Sequence, residues 1–366
     1  MAPILSICIF TYNRAHLLES ALGSLVAQVK ALGDEVELIV SDNCSLDNTR
    51  EIVEQMSQRC PIRYHRNDEN IGAVRNARQS VEKLARGEFC WLLGDDELVR
   101  KGAVGAIVRA LKTHPELDFF YVNYSIDSFH RREGISVEAD DFQEWTRTGN
   151  QNLEERTVNR WEQLIEEDFN GLTAIYCSVY RRLDWLRAAP GLAEGDLCSS
   201  VDQTYPHAAI FSQTMVGKPA WVSGYPWVIM CGKESWSEFI PTVILLRFHE
   251  LLDRYIDAGV HPRFVEGHRR RMLGYASEPL RRLFTGEKLA GLETFSVLTF
   301  AGNHWRYREM WWALRDAATT APLRHVAKCS LTLAALAVPG KILHRVGTAL
   351  ARLRGGRRRV TRTAHE

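Results

Sequence analysis

Between Ile4 and Tyr124, short β-branched and aliphatic runs alternate with segments of helical period. Ile4–Phe10, Val36–Ser41, Ile62–Arg66, Phe89–Leu93 and Asp118–Tyr124 read as strands. Leu17, Leu18, Ala21, Leu22 and Leu25 recur at helical spacing, as do Val74, Ala77, Val81 and Leu84, and then Ala103, Ala106, Ile107, Ala110 and Leu111. With a further segment at 49–58, these predict four helices between the strands. Strands separated by helices join through crossovers, so the expected class is α/β, with a mainly parallel sheet covered by helices on both faces. Such sheets bind ligands beyond the carboxyl ends of their strands. Four polar clusters fall there: Thr11-Tyr12-Asn13-Arg14, Ser41-Asp42-Asn43, Asn67 to Asn70, and Gly94-Asp95-Asp96-Glu97.

The last cluster carries the most charge. Three adjacent acids at one sheet edge repel one another, and a hard divalent cation such as Mn²⁺ or Mg²⁺ relieves that repulsion through oxygen ligands. A solvated turn whose acids face a helix N-terminus accounts for the same residues, with Glu97 as the capping acid. A nucleotide diphosphate would use the whole rim. Asp42 would accept hydrogen bonds from a ribose or base, and Asp95 and Asp96 would hold a metal against the phosphates. The chain has neither G-x-G-x-x-G nor G-x-x-x-x-G-K-[ST], which excludes the dinucleotide and P-loop readings.

Composition narrows the classes further. With 45% hydrophobic and 25% charged residues, the 366-residue chain is an ordinary globular protein, and its net charge of +1 offers no global field for nucleic acid. Eight cysteines lack any C-x-x-C pair, which argues against structural zinc and fits a reducing compartment. No apolar run approaches the ~20 residues of a membrane span. Met1-Ala2-Pro3-Ile4 enters the first strand without a signal peptide's basic region, so the expected location is cytoplasmic.

The four clusters, taken in order, resemble the signature of family 2 glycosyltransferases of the GT-A fold. Ser6-Ile7-Cys8-Ile9-Phe10-Thr11-Tyr12-Asn13-Arg14 is similar to the family's opening strand, and Ile39-Val40-Ser41-Asp42-Asn43-Cys44-Ser45-Leu46-Asp47-Asn48-Thr49 to its second. Asn70-Ile71-Gly72 with Asn76 matches the following helix start, and Leu93-Gly94-Asp95-Asp96-Glu97 falls at the D-x-D metal motif. The G-D-D-acid variant and Tyr205-Pro206-His207 look most like abequosyltransferase-like members of bacterial surface polysaccharide pathways.

That resemblance implies residue roles. Thr11, Tyr12, Arg14 and Asn70 would line the nucleotide-sugar pocket, Asp42 would meet base or ribose, and Asp95 would meet ribose or diphosphate. Asp96, with Asp95, would hold Mn²⁺ or Mg²⁺. Gly94 stands where the motif usually has its first Asp, which leaves the distribution of ligand duty open. Inverting transfer requires a base for the acceptor hydroxyl. Asp202, in Ser200-Val201-Asp202-Gln203-Thr204 at the start of a helix predicted over 201–212, is the candidate; the alternatives are Glu194, Asp196, or no role beyond a helix N-terminal acid. His207 would face the acceptor or simply pack, and Ser235-Trp236 would form a lid over the sugar or anchor a loop.

Expected boundaries are a glycosyltransferase domain over 1–238 (nucleotide-sugar half 1–124, acceptor half 125–238), a helical subdomain over 239–320 and a basic segment over 321–366. From Ala317 to His365 there is no acid, and Leu343, Val346, Leu350 and Leu353 share a face beside Arg345, Arg352 and Arg354. Such a face suits an anionic membrane surface, or equally a solvated edge of a helical subdomain. The expected activity is therefore metal-dependent inverting transfer from a nucleotide-diphosphate sugar to a saccharide acceptor, lipid-linked, at the inner face of the cytoplasmic membrane. A silent GT-A-fold binding protein and a sugar nucleotidyltransferase are the alternatives; the latter would need a Gly-rich basic loop that Thr11-Tyr12-Asn13-Arg14 is not.

Overall fold

The computed structural model describes residues 2–127, 146–148, 153–167, 173–230 and 237–320. The chain falls into two compact units: Met1–Ser235 with Arg254–Phe264, and Trp236–Asp253 with Val265–Glu366.

In the first unit, β1 (Leu5–Thr11), α1 (Ala15–Leu32), β2 (Val36–Asp42), α2 (Thr49–Ser57), β3 (Ile62–Arg66), α3 (Ala73–Gln79) and β4 (Phe89–Gly94) follow in turn. After these come β5 (Leu98–Val99), α4 (Ala103–Thr113), β6 (Phe119–Tyr121), β7 (Tyr124–Asp127), β8 (Thr146–Thr148) and β9 (Arg156–Val158). The unit continues with α5 (Gln163–Glu167), β10 (Ser178–Arg181), α6 (Arg182–Ala188), α7 (Pro206–Thr214), β11 (Ala220–Val222) and β12 (Val228–Met230).

Eight strands form the main sheet in the order β3-β2-β1-β4-β10-β6-β11-β9, with β1 to β4 all parallel and β10 and β9 reversed. The mainly parallel sheet expected from the alternation is present. Its central strands are apolar on both faces, with Leu5, Ile7, Cys8, Ile9, Trp91 and Leu92 fully buried, as a sheet covered by helices requires. The chain builds outward from β1 to β3 and then returns to the other side of β1 with β4. Strand order therefore reverses between β1 and β4, the topological switch point at which open α/β sheets bind ligands.

A second sheet, β5-β12-β7-β8, was not legible in the sequence. The apolar run 220–230 divides into two strands: β11 joins the main sheet and β12 the small one, broken by Ser223, Gly224 and Pro226. Likewise 118–124 divides into β6 and the start of β7.

The second unit is helical over its described residues. It comprises α8 (Ile240–Thr242) and the wide turn Val243–Arg247, the first part of α9 (Phe248–Asp257) and most of α10 (Arg263–Gly274). Then come α11 (Ser277–Phe284), α12 (Val297–Asn303) and α13 (Arg308–Thr320). Its core joins Leu273, Leu280, Phe284, Phe300, Met310 and Leu314, and the small side chains Ala313 and Ala317 fit the close packing of α13 on α11. Among the described residues no helix is long and apolar enough to cross a membrane.

Candidate active site at the β1–β4 switch point

Phe10 and Gly94 are register partners at the ends of β1 and β4, so the residues after them leave the sheet side by side. The Thr11 hydroxyl donates to Asp95 Oδ2 at 2.8 Å. Arg14 places Nη1 2.7 Å from Asp95 Oδ1 and Nη2 3.0 Å from Asp96 Oδ2. One guanidinium thus spans both carboxylates. Uncompensated acids, the starting point for expecting a cation here, are not what the fold builds: Arg14 already supplies a positive charge. Asp95 and Thr11 are each 2% exposed, whereas Tyr12 is 40% exposed at the same edge.

Gly94 has a steric reason for its identity. A Cβ there would stand 2.5 Å from Glu97 Oε2 and 2.8 Å from Asp96 Oδ1, so both acidic side chains fold back over this glycine. Glu97 does not cap α4, as expected from sequence; it precedes the two-residue strand β5, and α4 begins only at Ala103.

The turn after β1 is fixed from the second cluster. Asn13 adopts φ 52°, a left-handed conformation that asparagine tolerates, and its Oδ1 accepts from Leu46 N. Asp47 Oδ2 accepts from Ala15 N at the start of α1. Burial works against the Asp47 charge, but hydrogen bonds from Thr49 and Ala15 hold its carboxyl below the usual range. Asp42 is 1% exposed and accepts from Ser45 N at 2.8 Å and from the Tyr64 hydroxyl at 2.6 Å, with Arg66 Nε 3.7 Å away. Burial and the bond to Asp42 push the Tyr64 phenol well up. Asn70 Oδ1 accepts from Asn43 Nδ2 and Gly72 N, while Asn76 bonds Ser41 and Asn67. These amides satisfy one another and shape the loop between β3 and α3, with Asn43, Asn67 and Asn76 buried and Asn70 exposed.

Asp202 lies elsewhere along the edge. It sits in a turn four residues before α7 begins, not at a helix start, because Tyr205 ends the turn and Pro206 supplies the first helical residue. Its Oδ2 accepts from Ala193 N at 2.8 Å, and its Oδ1 is paired with the Arg254 guanidinium. Arg254 comes from the segment Arg254–Phe264, which the sequence reading assigned wholly to the helical subdomain and which packs with the first unit. The neighbouring Tyr255 meets the edge of Trp161 there. Glu194 is exposed and paired with Arg75 and Arg78 of α3, each at 3.0 Å. His207 is 3% exposed and packs edge-on between Tyr205 and Phe211. Ser235 and Trp236 lie outside the described residues.

Thr11, Arg14, Asp95 and Asp96 are thus brought into direct contact, Asp42 ends the neighbouring strand β2 and Asn70 lies in the loop after β3, and Asp202 belongs to a separate cluster. Two participants were missed. Tyr64 had a signal, since Arg66 is the register partner of Asp42 and Tyr64 lies two residues back on the same face. Arg254, 52 positions from Asp202, had none.

Residues 6–181 match the family described as "Glycosyl transferase family 2". Over 116 residues the chain is 35% identical to abequosyltransferase RfbV of Salmonella typhimurium, covering 31% of this chain and 34% of that protein. Over 108 residues it is 31% identical to GalNAc(5)-diNAcBac-PP-undecaprenol beta-1,3-glucosyltransferase of Campylobacter jejuni, covering 29% and 34%. The chain therefore matches about a third of the length of these relatives. Among solved structures, Staphylococcus aureus TarS 1–349 in complex with UDP-GlcNAc superposes with a TM-score of 0.50 at 18% identity, over 88% of this chain and 82% of that one. The parallel sheet, the switch-point cluster and the matched segment agree: residues 6–181 resemble a family 2 glycosyltransferase domain, carried on a sheet of GT-A architecture.

Proposed function

We propose that the chain is an inverting glycosyltransferase that moves a sugar from a nucleotide-diphosphate sugar to a saccharide acceptor. The observation that carries this reading is the Thr11–Asp95–Arg14–Asp96 linkage at the switch point, which gathers hydroxyl, guanidinium and carboxylate groups where a nucleotide diphosphate would enter. Donor use is supported by the family match and by the UDP-GlcNAc named for the TarS complex. Tyr12 presents an exposed ring at this edge, and Asp42, held by Tyr64 and Ser45, forms the wall toward the base.

The residues fit a divalent cation. Asp95 and Asp96 already converge on a positive group, the Arg14 guanidinium, which stands in for a metal. Among the described residues no three His, Cys, Asp or Glu side chains cluster as a metal cage. Two carboxylates with phosphate and water oxygens are the usual set for Mg²⁺ or Mn²⁺ beside a diphosphate. When bound, such an ion neutralises charge on the departing diphosphate.

The base is Asp202. Held by Ala193 N and Arg254, it keeps lone pairs on both oxygens to accept the acceptor hydroxyl proton. The acceptor oxygen bonds to the anomeric carbon from the face opposite the diphosphate, the bond to the diphosphate breaks, and the configuration inverts. Gly94, which stands where the motif usually has an Asp, is explained by the fold of Asp96 and Glu97 over it and does not argue for a silent protein.

The acceptor is a lipid-linked saccharide of a bacterial surface polysaccharide, and the basic segment 321–366 seats the enzyme on the anionic inner leaflet. The lipid-linked acceptor is supported by the PP-undecaprenol in the name of the Campylobacter relative, and the membrane seat by the acid-free basic sequence over 321–365, which lies outside the described residues. A thermal-shift panel of UDP-, dTDP-, CDP- and GDP-sugars with Mn²⁺ tests the donor claim: one nucleotide class raises Tm, and no shift with any of them overturns it. Truncation after Thr320 abolishes binding to anionic vesicles; unchanged binding overturns the membrane claim.

A further inference from the structure

We infer that Arg14 is a built-in counter-cation that competes with a divalent metal for Asp95 and Asp96 and passes to the donor's diphosphate when nucleotide and metal enter together. This rests on the donor reading above and goes beyond it by coupling the two ligands.

The backbone of Arg14 is fixed. Its carbonyl accepts from Leu17 N at 2.9 Å and Leu18 N at 3.0 Å, and the next amide, Ala15 N, is tied to Asp47. Any exchange is therefore made by the side chain, which is 24% exposed and opens toward solvent. The guanidinium uses Asp95 Oδ1 and Asp96 Oδ2, one oxygen from each acid, which a cation bridging the two would need. Asp95 Oδ2 is engaged by the Thr11 hydroxyl, and Asp96 Oδ1 is turned in over Gly94 beside Glu97. A metal thus reaches both acids by the oxygens Arg14 holds, and two cations at that spacing repel strongly.

The cost of moving Arg14 depends on where it can go. With metal alone, it gives up two charge-assisted bonds for water. With a diphosphate present, its planar fork finds an equivalent bidentate partner. Metal and nucleotide therefore help one another to bind, and Arg14 is the source of that help. By linkage, the assistance is reciprocal.

Isothermal titration with Mn²⁺ alone, with UDP alone and with both tests this on the wild type, Arg14→Gln and Arg14→Lys. Arg14→Gln binds Mn²⁺ alone about tenfold more tightly than the wild type, binds UDP in the presence of Mn²⁺ more weakly, and loses most of the mutual enhancement, which for shared sites is typically about 5–150-fold. Arg14→Lys, which keeps the charge without the fork, restores part of the competition and guards against a folding defect in the glutamine variant. Equal Mn²⁺ affinity in wild type and Arg14→Gln overturns the proposal, as does undetectable Mn²⁺ binding to both. If UDP binds none of the proteins, the donor reading fails, while the Mn²⁺-only comparison still decides whether Arg14 competes.

Discussion

The rim of the first unit and the core of the second both bury ionisable side chains, and they handle them in opposite ways. At the rim, Asp42 and Asp95 are 1% and 2% exposed, and each is held by hydroxyl, amide or guanidinium donors. In the helical unit, the His249 and His304 rings meet at a tilt of 52° with centroids 4.4 Å apart, beside Phe300. Burial, with the positive charge of Arg269 nearby, lowers both histidines, His304 to about 4 and His249 well below its ordinary value. The first arrangement gives each buried acid polar partners at the sheet edge. The second keeps its groups neutral and makes them part of the packing. Burial of a polar group alone does not mark a site; the partners it is given do.

The largest expected effects fall on the rim. Asp95→Asn removes the charge that Thr11 and Arg14 converge on and lowers transfer by a factor of about 1,000 or more, comparable to losing a preorganised electrostatic group. Circular dichroism and Tm should stay near wild type; a loss of activity explained by unfolding would instead make Asp95 a structural residue. Next, Asp202→Asn lowers kcat about 100- to 10,000-fold, the range for a general base, with donor affinity unchanged. Retained turnover would move the base elsewhere along the edge.

Gly94→Ala sharpens the contrast at smaller cost. The new methyl must push Glu97 and Asp96 off the turn, which weakens binding of UDP with Mn²⁺ by about tenfold, of the order expected for a misplaced group next to the chemistry. Titration calorimetry that finds unchanged affinity would show that the fold-back of these acids does not matter to the ligand.

For the second unit the prediction concerns stability. The folded-state pKa of His304 lies below its ordinary 6.5, so the unfolded chain binds the proton more readily. The stability tied to that neutral imidazole is fully present above pH 6.5 and is lost as pH falls toward about 4. The loss is on the order of 3 kcal/mol for this group, and His249 adds to it in the same direction. Urea unfolding between pH 7 and pH 4.5, followed by a probe on Trp311 and Trp312, should show the decline, and His304→Gln should flatten it. The smallest effect belongs to surface pairs such as Arg281–Glu278 on α11: Arg281→Gln shifts stability by at most about 0.5 kcal/mol.

Much of the rim was readable in the chain because strand ends follow from periodicity, and a parallel sheet brings those ends together. Thr11, Arg14, Asp95 and Asp96 meet for that reason, although Arg14 and Asp95 are 81 positions apart. The small sheet was not readable, since β5 has two residues and β12 three, too few to show a period. The pairing within the rim was also hidden: sequence shows three acids, but only the fold shows that Arg14 lies across two of them. Arg254 illustrates the same limit. Its meeting with Asp202 depends on the segment Arg254–Phe264 packing with the first unit, a tertiary event with no local signature.

Under the proposed function, a nucleotide diphosphate binds at the β1–β4 switch point through Thr11, Arg14, Asp95 and Asp96. Titration calorimetry of UDP and GDP with Mn²⁺, on the wild type and Asp95→Asn, addresses it most directly. At least one nucleotide should bind the wild type and fail to bind the variant at unchanged Tm; equal binding to both proteins, or none to the wild type, rules out donor binding at this cluster.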